Sequence, residues 1–368
     1  MIKNAFSLIV VLVSLLTSVE LLAQDKDVIV WKDNSKQAVS CTIKIETFKE
    51  IKYSQGGNLM TENIDAVKEV TFGTRPTVKA WYSYDRGESE MKSRNLEAAI
   101  KHFDDATSEA RKGGDGTLFL QHSLYKKAQC LKDLNKLGEA IDTYNILIKD
   151  VPESRYLRDV HLDLYYCYIA KGSSRDAELI LRQFEEVALK NGVKSWQEDI
   201  DSLKANVAES KQDYKTAVGL FGKLLKSNNP DTADRATAGE IRCLIELKDY
   251  SKLQSRSEEL IKSSENYLIL TAAYNGLGTV YLKDNKLKDA RNAFLRGEVQ
   301  YNPGRSPENE YALYGSIVSI SRLALTEKVA KAKEDDKERA GQLLGKLRGS
   351  YPNSKYIKPA GEEVDKIK

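Results

Sequence analysis

From Ala80 onward, small and apolar residues recur in paired helical stripes, and few chains with that pattern can fold as anything but stacked hairpins. The clearest copy is the stretch 271–303, TAAYNGLGTVYLKDNKLKDARNAFLRGEVQYNP. Tyr274, Leu277, Gly278 and Tyr281 fall on one side of a first helix, and Ala290 and Phe294 on one side of a second. Gly278 and Ala290 are small where the two helices press together. Pro303 stops the second helix, because it has no N–H to donate and clashes with the preceding turn. A single hairpin of this kind cannot bury its own apolar stripe, and stacking on its neighbours supplies the missing face.

Aligned on the small residue of the second helix, the copies fall at Ala99, Ala140, Ala177, Ala217, Leu253, Ala290 and Ala340. Gly87, Ala99, Phe103 and Ala106 set the first. Leu124, Ala128, Leu131, Ala140, Tyr144 and Pro152 set the second. Tyr165, Tyr168, Ala177 and Leu181 hold the third in register, and Ala205, Tyr214, Ala217 and Phe221 the fourth, which Pro230 closes. The fifth has Leu253 in place of the small residue. The seventh begins with Tyr311, Tyr314 and Gly315 and carries an insertion that includes KAKEDDKERA, read as a lengthened helix with a solvated, salt-bridged face.

The order Tyr, Leu, Gly, Tyr, Ala, Phe, Pro resembles the tetratricopeptide repeat. The resemblance implies a mainly α fold: an α-solenoid of about seven hairpins over residues 80–368, with joints longer than those of the about 34-residue consensus. Tyr351-Pro352-Asn353-Ser354-Lys355-Tyr356 resembles the YPNS joints of envelope tetratricopeptide proteins, including those that coordinate outer-membrane assembly and cell division. Val151-Pro152-Glu153-Ser154 is a looser copy.

Ahead of the helices the period changes. Residues 27–73 alternate apolar and polar side chains, as at Val39, Cys41, Ile43 and Ile45, with turn signals at Asp33-Asn34 and Gly56-Gly57. About five short strands make a small barrel-like module or rolled sheet, whose core is thin unless it docks on a neighbour. The stretch looks like small envelope β-modules that open on a lysine-aspartate-glycine turn, although Asn34 stands where the glycine would. Residues 74–79, around Thr74-Arg75-Pro76-Thr77, have the composition of a linker and mark the expected domain boundary.

Residues 1–23 read as a secretory signal peptide: Lys3, an uncharged run from Asn4 to Val19, then Leu21-Leu22-Ala23 with cleavage after Ala23. The alternative, an uncleaved anchor, meets a run shorter than the roughly 20 residues that span a bilayer. No Cys follows for lipid attachment. The expected location is the periplasm or the exterior.

No catalytic pattern emerges. The 3 His and 4 Cys are scattered, so neither a metal nor another cofactor is expected. His102, His122 and His161 fall in different hairpins without a patterned nucleophile, and no phosphate-loop, HExxH or GxSxG motif occurs. A formal charge of +3 leaves no footprint for nucleic acid. Cys130, Cys167 and Cys243 share one register position and are expected as buried free thiols, with Cys41 facing the β-core.

Carried over position by position, the family resemblance places Trp81, Tyr84, Glu88, His122, Tyr125, Gln129, Lys132, Tyr166, Arg235, Arg242, Asn275 and Thr279 on the concave face, lined by first helices. Rings mixed with amide and cationic groups suit an extended peptide. The family's carboxylate-clamp pattern is incomplete here. The expectation is therefore a non-catalytic exported scaffold or adaptor of the cell envelope that binds a protein or peptide partner. A self-associating structural spacer and, on the strength of 19 Tyr and 3 Trp, a glycan-binding protein are the alternatives.

Overall fold

The computed structural model describes residues 26–300 and 306–367; the signal-peptide reading and Pro303 lie outside them. Five strands come first: β1 (Asp27–Trp31), β2 (Val39–Glu46), β3 (Glu50–Gln55), β4 (Asn58–Asn63) and β5 (Val67–Thr71). They form one antiparallel sheet in the order β4-β3-β2-β1-β5, so β4 and β5 are its two edges and the sheet stays open instead of closing as a barrel. The register slips between Val30 and Trp31 and between Ile43 and Ile45. Such irregularities bend a strand and increase its twist. Ile29, Trp31, Cys41, Ile43, Ile51 and Tyr53 form the buried face, as the period-two alternation requires.

Fifteen helices follow among the described residues. They are α1 (Lys79–Lys92), α2 (Leu96–Ala110), α3 (Leu118–Asp133), α4 (Leu137–Asp150), α5 (Leu157–Ala170), α6 (Ser174–Asn191), α7 (Gln197–Ser210) and α8 (Tyr214–Leu224). Then come α9 (Pro230–Leu247), α10 (Tyr250–Ser263), α11 (Tyr267–Lys283), α12 (Leu287–Gln300), α13 (Pro307–Thr326), α14 (Ala330–Ser350) and α15 (Ile357–Asp365). They pair as α1/α2 through α13/α14, in the predicted frame. Ala99, Ala140, Ala177, Ala217, Leu253, Ala290 and Ala340, the seven aligned positions, are all fully buried. The chain divides into two compact units, one ending at Phe184 and one starting at Glu185.

Glycine and phenylalanine set the spacing within the pairs and between successive pairs. A Cβ on Gly87 would stand 2.5 Å from the Phe103 ring, and one on Gly239 2.5 Å from Phe221. Phe294, fully buried, sits between Gly278 and Gly315, where a Cβ would lie within 2.7 Å of the ring on the first and closer still on the second. The oversized Leu253 of the fifth pair is accommodated by Gly276, whose Cβ would meet the leucine at 3.0 Å.

Six of the hairpins turn in one way. A single left-handed residue follows the first helix: Arg94, Asn135, Gly172, Gln212, Lys248 and Asn285. The next N–H then reaches back over the helix end, as in Asn95 to the Glu90 carbonyl, Lys136 to Leu131, Ser173 to Tyr168 and Lys286 to Tyr281. This closes the last carbonyls of the helix. The seventh hairpin differs. Its insertion is shared between two long helices, and Glu327 between them accepts from the Lys328 and Val329 N–H groups at 2.9 and 3.0 Å. The KAKEDDKERA run lies on α14, with Lys337 and Glu334 paired at 3.7 Å.

Cys41, Cys130, Cys167 and Cys243 are buried free thiols, as predicted. Burial pushes them up, Cys41 and Cys130 to about 11 and Cys243 to about 12.

Candidate functional site

In the first unit, α1, α3 and the joint ahead of α5 are covered by the chain's own β-module. Phe72, just past β5, meets the rings of Tyr84, Phe119 and His122 edge-on at centroid distances of 6.0, 5.0 and 4.7 Å. The 74–79 segment is fastened rather than free. Asp27 accepts from the Ile43 and Gly73 N–H groups at 2.7 and 2.9 Å and from the Arg75 guanidinium at 2.5 Å, while Arg75 also lies over Phe119.

The end of β2 makes the other attachment, on the α4–α5 joint. Thr47 bridges Ser154 in antiparallel fashion, and the Phe48 N–H donates to the Glu153 carbonyl at 3.1 Å. Glu46 is buried between His122 Nε2 at 2.6 Å and Arg155, and its own carbonyl accepts from Gln121 at 3.2 Å. His122 Nδ1 stands 2.7 Å from the Tyr156 hydroxyl. Burial favours the neutral imidazole, and in that form Nε2 donates to the carboxylate while Nδ1 accepts from Tyr156. Burial holds His122 below its usual value, whereas for Glu46 the adjoining His122 and Arg155 outweigh burial and keep the carboxyl low.

A second joint of the same build lies between α14 and α15 in the other unit. In both, Ser N–H donates to the carbonyl three residues back, to Val151 and to Tyr351, each at 2.9 Å. In both, the Ser hydroxyl caps the next helix by accepting from the tyrosine N–H, 3.2 Å at Tyr156 and 3.1 Å at Tyr356. A cation then lies over that tyrosine: Arg155 over Tyr156 at 5.3 Å, Lys355 over Tyr356 at 5.0 Å. Each tyrosine stacks on one from the preceding first helix, Tyr156 on Tyr125 at 4.1 Å and Tyr356 on Tyr314 at 4.8 Å. Each also meets a second ring edge-on, His122 at 5.3 Å or Tyr311 at 5.5 Å. Where Arg155 takes Glu46, Lys355 takes Glu246 of α9, at 3.0 Å.

Most residues named from the resemblance are committed to internal contacts. Tyr84, His122 and Asn275 are buried, 7%, 2% and 2% exposed, and so are not open to a partner. The physical reason is the sheet in the first two cases; in the third, Asn275 donates to the Glu308 carbonyl at 2.8 Å. Tyr125 is buried in its stack and bonded to Gln129; Lys132 pairs with Asp163 at 2.5 Å and Glu88 with Lys126 at 3.3 Å. Trp81 packs partly buried on the first hairpin's core. Arg242 bridges Glu209 at 2.7 Å and Glu308, and Thr279 meets the Tyr311 hydroxyl at 3.1 Å. Tyr166, 44% exposed, and Arg235 remain at the surface.

Sequence reading missed Glu46, Arg155 and Tyr156, although the parallel of VPESRY with YPNSKY carried the signal two residues past the serine. Among the described residues no group of His, Cys, Asp and Glu is placed to hold a metal, and no helix is long and apolar enough to cross a membrane. His161 donates from Nδ1 to the Leu157 carbonyl of its own helix at 2.7 Å and stacks on Phe184 at 5.2 Å.

A family model of the tetratricopeptide repeat matches residues 122–154, the second hairpin and its joint. A tetratricopeptide repeat protein from Parabacteroides merdae superposes with a TM-score of 0.57 at 16% identity, over 78% of this chain and 99% of that one. This is a tetratricopeptide-repeat fold. The quorum sensor NprR from B. thuringiensis is similar at a TM-score of 0.48 and 11% identity, over 78% of this chain and 79% of that one. No curated protein matches. In repeat terms, the β-module lies on the first helices of repeats one and two and on the joint before repeat three, and the α14–α15 joint follows repeat seven.

Proposed function

We propose that this repeat protein is a non-catalytic scaffold of the cell envelope, exported by its N-terminal residues, that holds an extended segment of a partner protein on the first-helix side of its second unit. The observation that supports it is the aromatic shelf of Tyr311, Tyr314 and Tyr356, in mutual ring contact yet partly exposed, and flanked by Lys355, Glu246 and Glu310. Stacked rings offer rigid contact area at little entropic cost, and the surrounding charges fix register. Repeat folds of this kind generally bind proteins and carry no chemistry of their own. The leader-like run from Lys3 to Ala23 supports export.

A photo-crosslinking residue placed at Tyr314 in the full chain in living cells tests the reading. The expected result is a discrete protein adduct that Glu310→Lys removes. An adduct pattern identical to that from a crosslinker at Lys337, on the solvated part of α14, would count against a specific face. Export is tested by sequencing the N-terminus of the accumulated protein: a start at Gln24 is expected, and retention of Met1 contradicts it.

A further inference from the structure

The first joint has an extended strand end seated on it, and the second has none among the described residues. At the first joint the seated segment is Glu46-Thr47-Phe48. It bonds by backbone to Ser154 and Glu153 and sends one side chain into a polar pocket made by Gln121, His122 and Arg155. The corresponding backbone of the second joint, at Asn353 and Ser354, closes the same turn through the Ser354 N–H on the Tyr351 carbonyl, and its serine hydroxyl likewise accepts from the tyrosine N–H. Asn353 is exposed and Lys355 is 64% exposed.

The pocket around the second joint carries the opposite charge. Tyr311 stands where the first has His122, and Glu310, the residue before it, where the first has Gln121. Glu246 already fills the role of Glu46 as the carboxylate on the joint's cation. Glu310 makes no ion pair within contact distance among the described residues, but its field reaches Lys355 and Tyr356. Two carboxylates thus face one cation. A solvent-exposed pair such as Lys355–Glu246 is weakly held, so little opposes its rearrangement around an incoming group.

We propose that the joint Tyr351–Tyr356 is a strand-docking site, and that its occupant is an extended segment of a partner protein carrying a lysine or arginine at the place that Glu46 holds in the first joint. The segment adds its backbone to residues 353 and 354, and its cation lies between Glu246 and Glu310 above the tyrosine shelf. Backbone pairing supplies affinity and the single side chain supplies selectivity. This proposal rests on the binding reading given above and specifies the partner's chemistry.

The probes are labelled synthetic hexapeptides that copy residues 44–49, Lys-Ile-Glu-Thr-Phe-Lys, with glutamate kept or replaced by lysine, and a scrambled peptide of the lysine version's composition. Binding to protein purified from cells expressing the full 368-residue chain is read by fluorescence anisotropy, and the footprint by hydrogen exchange over 350–357. The lysine peptide is expected to bind at least ten times more tightly than the glutamate and scrambled peptides. Glu246→Gln with Glu310→Gln should weaken it fivefold or more and leave the circular-dichroism spectrum unchanged, while Glu334→Gln should leave it alone. Equal binding of the three peptides, tighter binding of the glutamate peptide, indifference to the paired substitution, or protection elsewhere than 350–357 would overturn the proposal. If the peptides fail while the Tyr314 crosslink to a partner persists, strand docking is wrong and the scaffold reading stands; if both fail, the scaffold reading falls as well.

Discussion

His122 and His161 are buried with their imidazoles neutral, and burial lowers both from the ordinary 6.5. Between 6.5 and the lower folded value, the unfolded chain binds a proton that the folded chain refuses. Stability is therefore fully present above pH 6.5 and falls as the pH drops, by up to about 1.4 kcal/mol per pH unit for each histidine. Glu46, whose carboxyl is also lowered, acts in the same sense further down, from about its ordinary 4.5 to its folded value. The urea midpoint of the first unit should thus drop between pH 7.5 and 5.5, and His122→Gln should flatten that slope. A midpoint independent of pH would contradict the assignment. Packing gives a second test at this scale. Gly315→Ala drives a methyl into the buried Phe294 ring and should lose about 1–2 kcal/mol despite the gain in helix propensity, whereas Gly345→Ala on α14, with open space around it, should gain about 0.5–1 kcal/mol. Thermal melts of the two variants decide it.

The hairpins themselves were legible, because their small residues must recur at one register and all seven aligned positions are buried. Their turns were not. The left-handed position is filled by Arg94, Gln212 and Lys248 as readily as by Asn135, Asn285 and Gly172, and long polar side chains send no turn signal. A left-handed residue other than Gly costs on the order of 1 kcal/mol, which Gly would spare at the cost of a floppier unfolded chain. Lys248→Gly should raise stability by about 0.5 kcal/mol and Lys248→Val lower it by about 1–2 kcal/mol, read from chemical denaturation. The β-strands were legible for the same reason as the helices, from periodicity. What escaped was docking: the Glu46–Arg155 pair spans more than a hundred residues, and the Gly73–Thr77 composition that suggests a loose joint conceals Arg75, which the buried Asp27 holds in place. Pairings at that range leave no periodic trace.

At the scale of the molecule, the sheet and the first three repeats form one compact unit, and the remaining repeats another. Glu46→Gln would leave Arg155 and its surroundings short of an anion in a buried place, a loss of about 3–5 kcal/mol for a broken buried pair. Because repeat arrays hold together through nearest neighbours, the damage should stay local. Hydrogen exchange is expected to accelerate by roughly two to three orders of magnitude across 39–71 and at the start of α5, with α11 to α15 unchanged. Uniform acceleration along the whole chain would show instead that both units unfold as one.

The sheet's position has one more consequence. Tyr84, Phe119 and His122, together with the guanidinium of Arg155, are kept from solvent by a module that a single strap, residues 73–78, connects to the helices. Proteolysis of that strap followed by loss of the sheet would do more than shorten the polypeptide. It would bare a sticky, cationic aromatic patch on a protein that until then had satisfied it from within.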